Sequence, residues 1–204
     1  MCYNEQISLV TYIIGMLGSL ALTRSGMVAL GLFYTATIQM QMVDYILFKN
    51  PVCNARNTVA TRAGILINHL EPLVFYAALL GSGVSLPPIV HMVVAMYTVM
   101  AGIYVLKALK SVTCTTVSST SAPYLHWKWN NMDGNMVVYG LFLLVLVLLS
   151  VYGMAGDVGT FHAVLVILSF GLSFHKYRGK RATGALWCWF AAFIPYMMVF
   201  AASS

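Results

Sequence analysis

The sequence predicts an all-α bundle of seven transmembrane helices, and three observations lead to this fold class. Of the 204 residues, 60% are hydrophobic and only 8% are charged, whereas an average soluble domain is about 25% charged. The hydrophobic residues form seven runs, each close to the ~20 residues that cross the hydrocarbon core of a bilayer. Short polar connections separate these runs. We therefore expect a single integral, multi-pass membrane domain over residues 1–204.

The seven predicted helices follow one another with little chain between them. Their ranges are 7–23, 26–48, 60–81, 87–108, 135–154, 157–175 and 184–202. Gly, Ser, Pro and Asn mark the connections, as is usual for turns. The one longer connection, 110–134, ends in HWKWNN. Its residues Trp127 and Trp129 are predicted to lie at the level of the lipid headgroups.

The basic residues divide very unequally between the two ends of this bundle. Ten Lys and Arg residues fall at one end, while the other end has only Arg24. Because basic loops stay in the cytoplasm, we expect a cytoplasmic N-terminus and an external C-terminus. This distribution accounts for the net charge of +6, so no nucleic-acid partner is expected. Retinal-binding proteins are excluded, because the last predicted helix has no lysine for a Schiff base.

The segment 39–72 carries most of the polar groups that are predicted to lie inside the membrane. A charged side chain near the bilayer centre costs roughly 3 kcal/mol, so these groups need a partner or a function. For Asp44, pairing with Arg62 or Lys49 is the expected structural role. The candidates for a binding or proton site come from the second, third and last predicted helices: Gln39, Gln41, Asp44, Asn68, His69, Glu71, Trp187 and Trp189.

Glu71 is predicted to be the most informative of these positions. It lies about eleven residues into the third predicted helix, and therefore about 16 Å from the cytoplasmic end at 1.5 Å per residue. We expect a neutral carboxyl group that hydrogen-bonds to Gln39, Gln41 or Trp189. Because the third helix is polar on more than one side, it should lie at the centre of the bundle.

The turn CNARNT, between the second and third helices, is predicted to have a structural role. Asn57 or Thr58 could accept N–H groups at the start of the third helix, and Asn54 suits a turn. The cysteines show no paired spacing, so we predict no disulfide framework, metal site or cofactor. The four cysteines are Cys2, Cys53, Cys114 and Cys188.

Three function classes are open at this point. The first is a transporter or channel for a small molecule, an ion or protons, with its polar site between the second and third helices. The second is an intramembrane enzyme on a lipid-like substrate, with Glu71 and His69 as acid and base, although HExxH and GxSxG motifs are absent from the sequence. The third is a receptor-like or scaffold subunit. The expected partners are the lipid bilayer and an unidentified small molecule or ion, and oligomerisation is left open.

Several short motifs resemble a known group of sequences. QMQMVD at residues 39–44, CNARNT at 53–58 and HLEP at 69–72 resemble those of an uncharacterised family of seven-helix membrane proteins from large DNA viruses and protists. WKW at 127–129 and GALWCW at 184–189 are also similar. The resemblance implies the same seven-helix fold and directs attention to the same polar residues. It implies no reaction, and Asp44 stands where the family pattern has Glu.

Overall fold

The computed structural model describes residues 4–118, 124–177 and 185–203. It is 82% helical, which confirms the predicted all-α class. Within these ranges the elements are α1 (Glu5–Arg24), α2 (Val28–Lys49), α3 (Ala55–Gly81), α4 (Pro88–Ser111), a small antiparallel hairpin of β1 (Thr116–Val117) and β2 (Leu125–His126), a 3-10 turn (Lys128–Asn131), α5 (Asn135–Gly153), α6 (Gly156–Tyr177), α7 (Ala185–Ala191) and α8 (Ile194–Ser203).

The first six predicted helices agree with α1 to α6 to within a few residues. The largest difference is at α3, which begins at Ala55 rather than at residue 60. Asn54 caps this helix, because its side chain accepts the N–H of Asn57 at 3.0 Å. The cap is therefore Asn54, and not Asn57 or Thr58 as the sequence suggested. The capped N-terminus adds a further turn to α3, and this turn gains backbone hydrogen bonds.

Glycines in the left-handed conformation make the turns at one end of the bundle. Gly26 follows α1 with φ 89°, and the N–H of Met27 donates to the carbonyl of Leu22 at 3.0 Å. This is the Schellman arrangement, which needs a residue with positive φ after the helix. Gly83 has the same place after α3, with φ 79°. Both turns reverse the chain tightly, so that α1 packs on α2 and α3 packs on α4.

The last predicted helix is broken, and the predicted single helix over 184–202 is wrong. The structure has α7 and α8 instead, separated by a turn at residues 192–193 whose N–H groups bond three residues back. Pro195 explains the break, since it has no N–H to donate to Ala191 and its ring would clash with that carbonyl. Residue 184 lies outside the described residues.

Five of the described helices are long and apolar enough to span a membrane: α1, α3, α4, α5 and α6. They are compatible with an integral, multi-pass membrane protein, although the predicted count of seven spans is not confirmed. Helix α2 has 22 residues, but its glutamines and aspartate lower its mean hydropathy. The predicted orientation stays a prediction. Of the basic residues on which it depends, Arg178, Lys180 and Arg181 lie outside the described part of the chain. Cys2 also lies outside it.

The prediction that the cysteines form no disulfide is wrong for one pair. Cys53 and Cys114 are bonded, with Cα atoms 5.6 Å apart, although 61 residues separate them. Helices α2 and α4 both end at the same end of the bundle, and the chain after each of them carries one of the cysteines. The pairing therefore depends on the fold, and the spacing along the sequence could not show it.

The connection between α4 and α5 folds back against the bundle. Asn57 of α3 donates to the carbonyls of Asn50 and Thr115 at 2.7 and 2.9 Å, and it accepts the N–H of Thr115 at 3.0 Å. Trp127 and Trp129 are buried, at 6% and 0% exposure. The hairpin and the 3-10 turn direct these indoles into the bundle, so they do not form an exposed aromatic belt, and their place at the level of the lipid headgroups stays a prediction.

Candidate functional site

Helix α3 is central, as predicted, because it packs against α2, α4 and α5. Its three candidate site residues, Asn68, His69 and Glu71, are all buried. Asn68 and His69 both contact Tyr139 of α5, whereas Glu71 contacts Trp187 of α7, because consecutive helical positions are about 100° apart around the axis. They therefore do not converge on a single point.

Glu71 bonds to α7, the first of the two helices that replace the last predicted helix. Its side chain is 0% exposed, and its Oε2 accepts the indole N–H of Trp187 at 3.1 Å. Its other oxygen, Oε1, has no hydrogen-bond partner among the described residues, and neither has the hydroxyl of Thr37 on α2. The Thr37 side chain is nevertheless close enough to interact with the carboxyl group. Glu71 thus joins α3 to α7 and lies against α2.

The partners that the sequence suggested for Glu71 are wrong. Gln41 accepts the hydroxyl of Thr11 at 3.0 Å, and Gln39 donates to a carbonyl one turn earlier on its own helix at 2.9 Å. Trp189 is half-buried and contacts the neighbouring rings of Phe190 and Phe193 in edge-on and tilted arrangements. Two positions on a seven-residue helix point in different directions, and only packing decides that Trp187 faces α3.

His69 is held in one tautomer. Its Nδ1 lies 2.8 Å from the carbonyl of Ile65, which can only accept, so Nδ1 carries the proton. Its Nε2 is buried without a hydrogen-bond partner among the described residues. The ring lies between Tyr104 and Tyr139, at centroid distances of 5.4 and 5.7 Å. His69 therefore presents a neutral acceptor to an aromatic surrounding.

Pro72 leaves the backbone of α3 short of one donor, because it has no N–H for the carbonyl of Asn68. A hydroxyl from α4 supports the adjacent position, where Tyr97 donates to the carbonyl of His69 at 2.8 Å. The proline is thus accommodated at the centre of the bundle by a side chain from a neighbouring helix.

Asn68 begins a row of polar contacts that reaches the end of the bundle. Its Nδ2 donates to the Tyr139 hydroxyl at 3.0 Å, and this hydroxyl donates to Oδ1 of Asn130. The amide of Asn135 donates to the Asn130 carbonyl. The last three of these residues were not among the predicted site residues, because a tyrosine on an apolar helix and two asparagines in the preceding connection gave no sign of a common site.

A cavity of about 300 Å³ lies beside this row. Its lining combines the four polar residues with the apolar faces of α5 and α6: Asn68, Asn130, Asn135, Met136, Tyr139, Gly140, Phe142, Leu143, Ile167, Phe170, Gly171, Phe174 and Trp187. Of the predicted site residues, Asn68 and Trp187 line it, whereas Glu71 lies behind Trp187. Met136 and Ile167 are 63% and 46% exposed, so the cavity opens between α5 and α6 on the outer surface of the bundle.

A second buried polar side chain, His162, is satisfied by its neighbours. His162 of α6 lies 2.8 Å from the Tyr34 hydroxyl and 2.7 Å from the Ser150 hydroxyl. Since Ser150 already donates to the carbonyl of Leu146, it accepts from Nδ1 of His162, and Nε2 accepts from Tyr34. Each donor of these three side chains thus has an acceptor. Because His162 donates to Ser150 and does not accept its proton, the serine is not activated as a nucleophile.

The other candidates stay as predictions. Asp44 is buried on α2, at 3% exposure, whereas Arg62 is exposed on α3. Lys49 lies over the Tyr45 ring, with its Nζ 5.8 Å from the centroid. Among the described residues, no group of three or more His, Cys, Asp or Glu side chains could hold a metal ion.

No protein-family model, curated protein or solved structure matches this chain. The resemblance to the viral and protist family therefore stays a prediction.

Proposed function

We propose that this multi-pass membrane protein binds a small lipid-like molecule that enters from the bilayer. The observation that carries the proposal is the cavity between α5 and α6. Its volume of about 300 Å³ lies at the lower limit of small-molecule sites, which are mostly apolar with a few convergent polar groups. Its opening lies between the outer faces of α5 and α6, where a surrounding membrane would supply an apolar ligand directly from the lipid.

The acyl-chain part of such a ligand has suitable surroundings. Phe142, Phe170 and Phe174 line the interior, and the outer faces of the two helices expose apolar side chains such as Val137 and Leu168. In contrast, the enzyme alternative has less support, because neither Glu71 nor His69 is part of the lining. An acid and a base must reach the reacting atoms to act on them.

Binding can be tested with a photoreactive, lipid-like probe on the full chain in nanodiscs. Gly140→Leu and Gly171→Leu add a side chain to opposite walls of the cavity, where an added Cβ meets nothing within 4 Å. Gly102→Leu is the matched control, since it has the same open surroundings on α4, outside the cavity lining. We expect the two wall variants to lose most of the cross-linking and the control to retain it.

Equal cross-linking of all three variants and the parent would refute binding in this cavity. The scaffold function, in which buried polar groups only hold helices together, would then take its place.

Transport is the second candidate, and one observation favours it. Glu71, buried on α3, bonds to α7 of a last span that is interrupted, and interrupted helices are common at the substrate sites of transporters. On this proposal the polar site lies between α2 and α3, and Glu71 carries the proton or contacts the solute.

Proton or solute flux into proteoliposomes tests this candidate. Glu71→Gln should keep the fold, since an amide mimics the neutral carboxyl group and can accept from Trp187, and it should abolish pH-dependent flux. Flux that is unchanged in Glu71→Gln would exclude a role for this carboxyl group in transport.

A further inference from the structure

The polar end of the cavity contains both hydrogen-bond donors and acceptors that the protein does not use. An asparagine side chain offers two N–H donors and one carbonyl acceptor. The bond to Tyr139 uses one amide hydrogen of Asn68, and the bond to Asn130 uses one amide hydrogen of Asn135. The side-chain carbonyls of Asn68 and Asn135 take no hydrogen bond within the described part of the chain, and Asn68 is only 5% exposed.

The described lining of the cavity is uncharged. It contains no Lys, Arg, His, Asp or Glu. An ionised carboxylate or phosphate at this depth would be desolvated without a counter-charge, which is far more costly than burying a hydroxyl that finds a partner. Glu71, on the other side of Trp187, offers no positive charge either. The chemistry of the lining therefore discriminates against anionic head groups.

We infer that the cavity takes an uncharged amphiphile whose head group both donates and accepts hydrogen bonds. A long-chain alcohol or a monoacylglycerol has this chemistry, with its hydroxyl against Asn68 and Asn135 and its chain along Phe170 and Ile167. The inference rests on the proposed binding function, and it adds the class of ligand. A ligand that cannot both donate and accept leaves these amides without a partner. The amides are then desolvated without a compensating hydrogen bond, so such a ligand binds less tightly.

The test is competition against the photoreactive probe by amphiphiles of one chain length, at a pH at which the fatty acid is ionised. The set is a monoacylglycerol, the fatty acid, its methyl ester and the corresponding amine. We expect the monoacylglycerol to compete at least tenfold better than the fatty acid, and the methyl ester, which cannot donate, to lie between them.

Two substitutions at one position separate recognition from folding. Asn68→Leu should remove the preference for the monoacylglycerol while the probe still binds in the apolar part. Asn68→Asp should shift the preference toward the amine, which a purely structural role of Asn68 would not do.

The outcomes distinguish this inference from the function on which it rests. If all four amphiphiles compete equally, or if the fatty acid competes best, the inferred head-group preference is wrong, while the proposed binding of a lipid-like molecule is retained. If none competes and the probe does not label the cavity, the proposed function is wrong as well.

Discussion

Trp187→Phe should destabilise the protein, because it removes the only donor that the described residues provide to Oε2 of Glu71. Oε1 has no hydrogen-bond partner in the described ranges, so the Thr37 hydroxyl would be the remaining polar contact of the carboxyl group among the described residues. The substitution keeps an aromatic ring next to Phe142 and Phe170. It therefore changes the hydrogen bond more than the packing.

The magnitude follows from two limits. Hydrogen bonds between helices in a membrane protein average about 0.6 kcal/mol and reach about 1.7 kcal/mol. A buried polar group that loses its partner costs about 1–3 kcal/mol. Because Glu71 is 0% exposed, we expect a loss near the upper membrane value, about 1.5 kcal/mol.

A double-mutant cycle isolates this bond from the loss of ring area. Glu71→Met keeps a similar length and removes the acceptor, so Trp187→Phe in that background should cost only the packing part. The free energy of unfolding would be measured in mixed detergent micelles with increasing denaturing detergent. Trp189→Phe, on the same short helix and in contact with Phe193, is the matched control with an expected coupling to Glu71 near zero.

A coupling energy between Trp187 and Glu71 that equals that of the Trp189 control would refute the reasoning. The bond would then contribute nothing to stability, and Glu71 would have to be satisfied in another way.

Two further predictions concern packing and cross-linking. Gly159→Ala should destabilise the protein by about 1–3 kcal/mol in the same unfolding assay, because the added Cβ would lie 2.4 Å from the Ser150 carbonyl oxygen. The control Gly102→Ala, where an added Cβ meets nothing within 4 Å, should be neutral or stabilising by up to ~1 kcal/mol. Reduction of the Cys53–Cys114 bond should cost about 2–4 kcal/mol; detergent unfolding with and without reductant measures it, and an equal effect of reductant on Cys53→Ser would contradict it.

The hydrophobic runs were sufficient to predict most of the helices. A membrane-length apolar run has few alternatives to a helix, because every backbone polar group must be satisfied internally. The break between α7 and α8 was missed because hydropathy is continuous across residues 184–202. Pro195 alone did not decide the matter, since α3 continues through Pro72, where the Tyr97 hydroxyl supports the adjacent carbonyl.

The candidate site was harder to predict than the fold. The sequence correctly placed Asn68, His69 and Glu71 in the interior, because such groups are rarely exposed to lipid. It could not show which helices face them, since that depends on rotation about each axis. Tyr139 illustrates this point: its hydroxyl lies in a mostly apolar helix and becomes informative only when α5 turns it toward Asn68.

The disulfide has a consequence for the cell compartment that this end of the protein faces. Disulfides persist in oxidising compartments, whereas glutathione and thioredoxin keep cytosolic thiols reduced. Cys53 is exposed, so a reductant can reach the bond. Yet the basic residues at the same end favour the cytosol, and the two signals oppose each other. Alkylation of cells with an impermeant thiol reagent, before and after reduction, would show which signal directed insertion: a bond that is intact in cells places the ten basic residues on the oxidising side.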